Sequence, residues 1–108
     1  MNPIVAYIWG VISEGVVVAL LFWCITYITI ESTSLRGALR AGLISEAIGN
    51  IPYLFAVPAV SPPGIAMSLL AAFVFIRVIL RVGELTPLKA GYGVGMTYFV
   101  LLAIVSCA

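Results

Sequence analysis

The sequence predicts an all-α integral membrane protein, a bundle of four transmembrane helices whose second helix is kinked or broken near Asn50-Pro52. Three observations point there. Of its 108 residues, 64% are hydrophobic and only 8% charged, against about 45–50% and about 25% in soluble domains. The apolar residues also fall into four runs near the length, about 20 residues, that crosses a hydrocarbon core of about 30 Å. Short polar, proline or glycine segments separate them. Helices rather than a barrel are expected because backbone groups in lipid must pair within the segment, and the many alternating strands of a barrel are missing.

Span one is read from about Ile4 to Ile30, ending at Glu31-Ser32-Thr33-Ser34, whose residues suit a helix N-cap. Met1 to Val5 carries no Lys or Arg, so the first span is expected to be retained, not cleaved as a signal peptide. Span two follows over about Leu35 to Val60. Pro52 removes a backbone hydrogen bond within it, and Pro58 does so again. Ser61-Pro62-Pro63-Gly64 is expected to be the turn to span three, about Ile65 to Val82. Gly83-Glu84-Leu85-Thr86 then leads to span four, about Leu88 to Ala108, with Pro87 suited to its first turn. Residues 1–108 make one domain with no linker.

All five basic residues fall on one side of this arrangement: Arg36 and Arg40 by the first connection, Arg77, Arg81 and Lys89 by the third. The positive-inside rule then places both termini away from the cytoplasm, in a multi-pass protein of the cell membrane. Arg36, Arg40, Arg81 and Lys89 read as anchors that snorkel to lipid phosphates. Arg77 lies one turn deeper than Arg81, and Glu46 or a glutamate from another subunit is its candidate charge partner.

The inventory excludes much chemistry. With no His, Asp or Gln, a Ser-His-Asp triad, a His-ligated zinc and a His-ligated haem are all ruled out. No metal site or cofactor is expected, and an enzyme is not expected either, because no third group is placed to orient Glu, Ser or Tyr. Cys24 and Cys107 are far apart and read as buried small apolar residues. A net charge of +1 offers no field for nucleic acid.

The most informative feature is an internal similarity between Gly10-Val11-Ile12-Ser13-Glu14-Gly15 and Gly42-Leu43-Ile44-Ser45-Glu46-Ala47. Each copy sets a glutamate one helical turn after a glycine, which leaves room beside the carboxyl group. Glu14 is 16 residues from Ile30 and Glu46 is 11 from Leu35, so straight helices put them about 8 Å apart in height, near midmembrane. A charge there costs at least about 2.5 kcal/mol. The functional reading is a proton or cation site of Glu14 and Glu46, with Ser13, Ser45 and Asn50 supplying neutral oxygens. The plainer reading is that protonated glutamates only hold helices together. Gly42, Glu46, Gly49, Asn50 and Tyr53 recur at offsets of three and four, on one stripe.

Gly10, Gly42 and Gly49, and the GxxxG pair Gly91 and Gly95, read as helix-packing positions. The expected function is a small transporter or channel moving protons or small cations through an oligomer. The alternative is a non-catalytic accessory subunit of a larger membrane complex. Its partners are the bilayer and either copies of itself or that complex.

Overall fold

A computed structural model of the chain describes residues 2–30, 34–57, 61–82 and 85–107. Their regular structure is helical throughout, in five elements: α1 (Pro3–Thr29), α2 (Leu35–Gly49), α3 (Ile51–Leu54), α4 (Pro62–Val82) and α5 (Pro87–Cys107). Three of them, α1, α4 and α5, are long and apolar enough to cross a membrane. This marks the chain as membrane-embedded.

Local chemistry accounts for the helix ends. The Asn2 side chain accepts from the Ile4 N–H at 2.8 Å and Pro3 opens α1, where a missing N–H costs nothing. Ser34 caps α2 by accepting from the Gly37 N–H, and Thr86 accepts from the Lys89 N–H just before Pro87 opens α5. Pro62 and Pro63 correct the sequence reading, because the segment 61–64 is not a turn between helices. Both prolines sit in the first turn of α4, where N–H groups have no intrahelical partner to lose. Ser61 caps that turn, accepting from the Gly64 N–H at 3.3 Å.

Over its described residues, 35–57, the expected second span forms two helices, α2 and α3. α2 has 15 residues, short of the roughly 20 needed to cross. It stops at Gly49, where the Asn50 N–H bonds back to the Glu46 carbonyl. α3 follows with Pro52 at its start and closes at Ala56, which takes the left-handed conformation at φ 56°. The Val57 and Ala56 N–H groups there bond the Pro52 and Tyr53 carbonyls, a Schellman ending. The expectations for Pro58, for the Glu31-Ser32-Thr33 segment and for Gly83-Glu84 fall outside the described residues.

α2 lies between α1 and α4, with α5 along their other side. Apart from Glu46, its buried face is made of small residues: Gly37, Ala38, Ala41, Gly42 and Ser45, at helical offsets of three and four. Small residues let helix backbones approach closely, which is how helices associate where lipid removes the usual hydrophobic drive. A Cβ on Gly42 would stand 2.5 Å from the Gly15 carbonyl oxygen, and one on Gly15 2.9 Å from Leu43 Cδ2. The two backbones are therefore in contact. Phe22 of α1 meets Phe75 of α4 edge to face at 4.8 Å, both fully buried with Ala19 and Ile79. By contrast Trp9, Ile28, Phe73 and Leu102 face outward, as lipid-facing residues do. Cys24 and Cys107 correct their expectation, since both are exposed free thiols.

The glycine pattern of α5 differs from that expected. Gly93 is the close-approach position, where a Cβ would fall 2.6 Å from the Phe22 ring, while Gly91 and Gly95 face open space. Gly42→Ala should lower thermal stability in detergent by about 1–3 kcal/mol, because backbone rather than a flexible side chain blocks the added methyl. Gly91→Ala should be neutral or stabilising, as Ala favours the helix. Equal losses in the two variants would contradict this packing.

Candidate functional site

The α1–α2 crossing determines where the acidic side chains meet. Contacts of Gly15 with Gly42 and of Gly10 with Asn50, and the hydrogen bond donated by the Tyr7 hydroxyl to the Ala47 carbonyl, show the helices running antiparallel. Glu14 stands beside the close contact on α1, and Glu46 one turn past Gly42 on α2. The Asn50 side chain joins them: its Nδ2 donates to Glu14 Oε2 at 3.2 Å and to Glu46 Oε2 at 3.0 Å. The two carboxylate oxygens are thus no more than 6.2 Å apart.

Nδ2 also lies 2.8 Å from the Glu46 backbone carbonyl. An amide nitrogen carries two hydrogens, so three acceptors compete for two donors. Asn50 either bridges the two carboxyl groups or holds the carbonyl and only one of them. Its position at the end of α2 leaves it where the helix ladder stops. Gly10 makes space opposite, with a would-be Cβ 3.7 Å from Asn50 Oδ1.

Beside this trio lies a cavity of about 440 Å³. Glu14, Glu46 and Asn50 form its polar wall. Ser13, Gly49 and Tyr53 continue it, and Tyr98, Leu101 and Val105 of α5 stand across from Val17 and Val18 of α1. α5 approaches α1 closely where Gly93 meets Phe22 and Thr26. Glu46 is 9% exposed and Asn50 4%, whereas Glu14 is exposed as a residue with its carboxyl group turned to Asn50.

The residues expected to form the site therefore divide. Glu14, Glu46, Asn50 and Ser13 come together at the cavity. Ser13 donates its hydroxyl to the Trp9 carbonyl of its own helix at 2.8 Å. Ser45 is fully buried, does not line the cavity, and donates to the Gly42 carbonyl at 3.0 Å. Tyr98 lies beside Ser45 and faces Glu46 across the cavity. Sequence reasoning does not place it at this site, because nothing in the sequence fixes which way that face of α5 turns.

Arg77 corrects the expectation of an ion pair with Glu46. α4 buries Ala71, Phe75 and Ile79, and Arg77 is two residues from each of the last two, on the opposite side of the helix. It is exposed and lines no part of the cavity. Arg36, Arg40, Arg81 and Lys89 are exposed as well. Among the described residues no group of three or more His, Cys, Asp or Glu could hold a metal ion.

Comparison of the chain with protein-family models, with curated proteins and with solved structures finds no match. Asn50→Leu should cost about 1–3 kcal/mol of stability, because two carboxyl acceptors lose their buried donor. In a Glu14→Gln, Glu46→Gln background the cost should shrink, since the glutamine amides supply donors. An equal cost in both backgrounds would contradict the bridge.

Proposed function

We propose that this protein is a small transporter or channel that moves protons or small cations across a cell membrane, using Glu14 and Glu46. The observation that carries this reading is the shared Asn50 amide, which holds two acidic groups at the wall of one cavity. In this reading α2 and α3 together make a fourth crossing, kinked at Asn50-Pro52, and both termini face away from the cytoplasm. Four short helices enclose little volume, so the working unit is an oligomer.

Two ionised carboxylates this close repel, and a proton or cation between them relieves the repulsion. When one arrives, a carboxyl group no longer needs the Asn50 donor, and the amide turns its second hydrogen to the Glu46 carbonyl. Departure reverses the exchange. A helix end freed by Pro52 lets that movement occur without breaking an intact ladder. Ser13 and Tyr98 add neutral hydroxyls along the cavity, and the apolar walls of Val17, Leu101 and Val105 strengthen the field of the carboxyl pair.

The test is flux into liposomes loaded with a pH-sensitive dye. Glu46→Gln and Glu14→Gln should each abolish pH-dependent flux while helix content and assembly size stay unchanged. Normal flux in either variant would refute the role. So would the absence of flux from the wild type, together with larger proteins that co-purify in mild detergent, which is the behaviour of an accessory subunit.

A further inference from the structure

The cavity beside the carboxyl pair is larger than a bare ion needs. Its volume of about 440 Å³ falls in the range of small-molecule pockets, about 300–1,000 Å³, whereas a single water needs only about 15 Å³. Its wall combines two characters. Glu14, Glu46 and Asn50 converge on it, while Leu101 and Val105 are apolar and Tyr53 and Tyr98 add aromatic rings. Among the described residues no Lys or Arg lines it, so a cation that balances the acidic groups there has to come from outside the chain.

The Asn50 amide discriminates between kinds of cation. Its Nδ2 lies 3.2 Å from Glu14 Oε2 and 3.0 Å from Glu46 Oε2, so a donor already holds the place from which a metal ion would bridge both oxygens. A hard ion such as Ca²⁺ also takes about six to eight oxygen ligands, and the described residues gather no group of three or more His, Cys, Asp or Glu. An organic cation makes neither demand. It meets the carboxyl groups from the cavity side, buries its carbon atoms against the apolar wall, and is attracted to the faces of aromatic rings.

We infer that the cavity binds an organic ammonium cation bearing an apolar group, its charged end at Glu14 and Glu46 and its apolar body against Leu101 and Val105. This rests on the reading of the carboxyl pair as a cation site and names the cation; it does not require that the cation be transported.

The test is competition binding on purified protein in a nonionic detergent, with labelled benzyltrimethylammonium as the probe. Unlabelled benzyltrimethylammonium should displace the label at least about tenfold better than neopentylbenzene, a neutral molecule of the same shape. Millimolar sodium or potassium should not displace it, nor should phosphatidylcholine, whose headgroup carries the same trimethylammonium group. Glu14→Gln and Glu46→Gln should each weaken binding at least about tenfold. Tyr53→Leu, at an exposed ring on α3, should weaken it about two- to fivefold. The comparison with the neutral molecule uses the wild type, so it holds even where a variant fails to fold. Equal displacement by neopentylbenzene, displacement by sodium, potassium or phosphatidylcholine, or unchanged affinity in any folded variant would overturn the site. Proton flux in liposomes from a wild type that binds no probe would overturn this inference and leave the transport reading standing, whereas saturable binding without flux would support it and count against transport.

Discussion

Backbone contact between α1 and α2 at Gly15 and Gly42 is the constraint on which the rest of the structure depends. A membrane gives two apolar helices no reason to associate beyond packing and hydrogen bonding, and packing is strongest where both backbones are bare. With the Gly42 position only 2.5 Å from the Gly15 carbonyl oxygen, the crossing point admits no side chain on either helix. Glu14 adjoins that point and Glu46 is one turn from it, so the crossing itself brings the acidic groups to a common level.

Asn50 turns that proximity into a site. Its amide reaches Glu46 within its own helix and Glu14 on the neighbouring one, which only a residue at the free end of α2 can do. The cavity beside them also takes part of its wall from α5. That helix comes close to α1 at Gly93, and its Tyr98, Leu101 and Val105 line the cavity.

Much of this was legible in the sequence, and the parts that were not share a cause. The long apolar helices, the capping of α2 by Ser34 and the start of α5 at Pro87 follow from composition and local chemistry. Glu14, Glu46 and Asn50 stood out because polar groups are costly in an apolar run. Local rules failed where two helices had to choose faces. Gly91 and Gly95 have the spacing of a packing motif, but Gly93 makes the contact, and spacing does not say which side of α5 meets α1. Arg77 was paired with Glu46 by depth, although the burial of Phe75 and Ile79 turns it away. Pro62-Pro63 was read as a break, although a first turn has no intrahelical N–H bonds for proline to remove.

The central claim is that Asn50 bridges acidic groups from two different helices inside the bilayer. Solid-state nuclear magnetic resonance in lipid bilayers tests it most directly, by measuring dipolar contacts between an isotope-labelled Asn50 side-chain nitrogen and labelled glutamate carboxyl carbons. Two contacts are expected, one of which disappears in Glu14→Gln when only glutamates carry the label. A single contact, to Glu46 alone, would contradict the bridge.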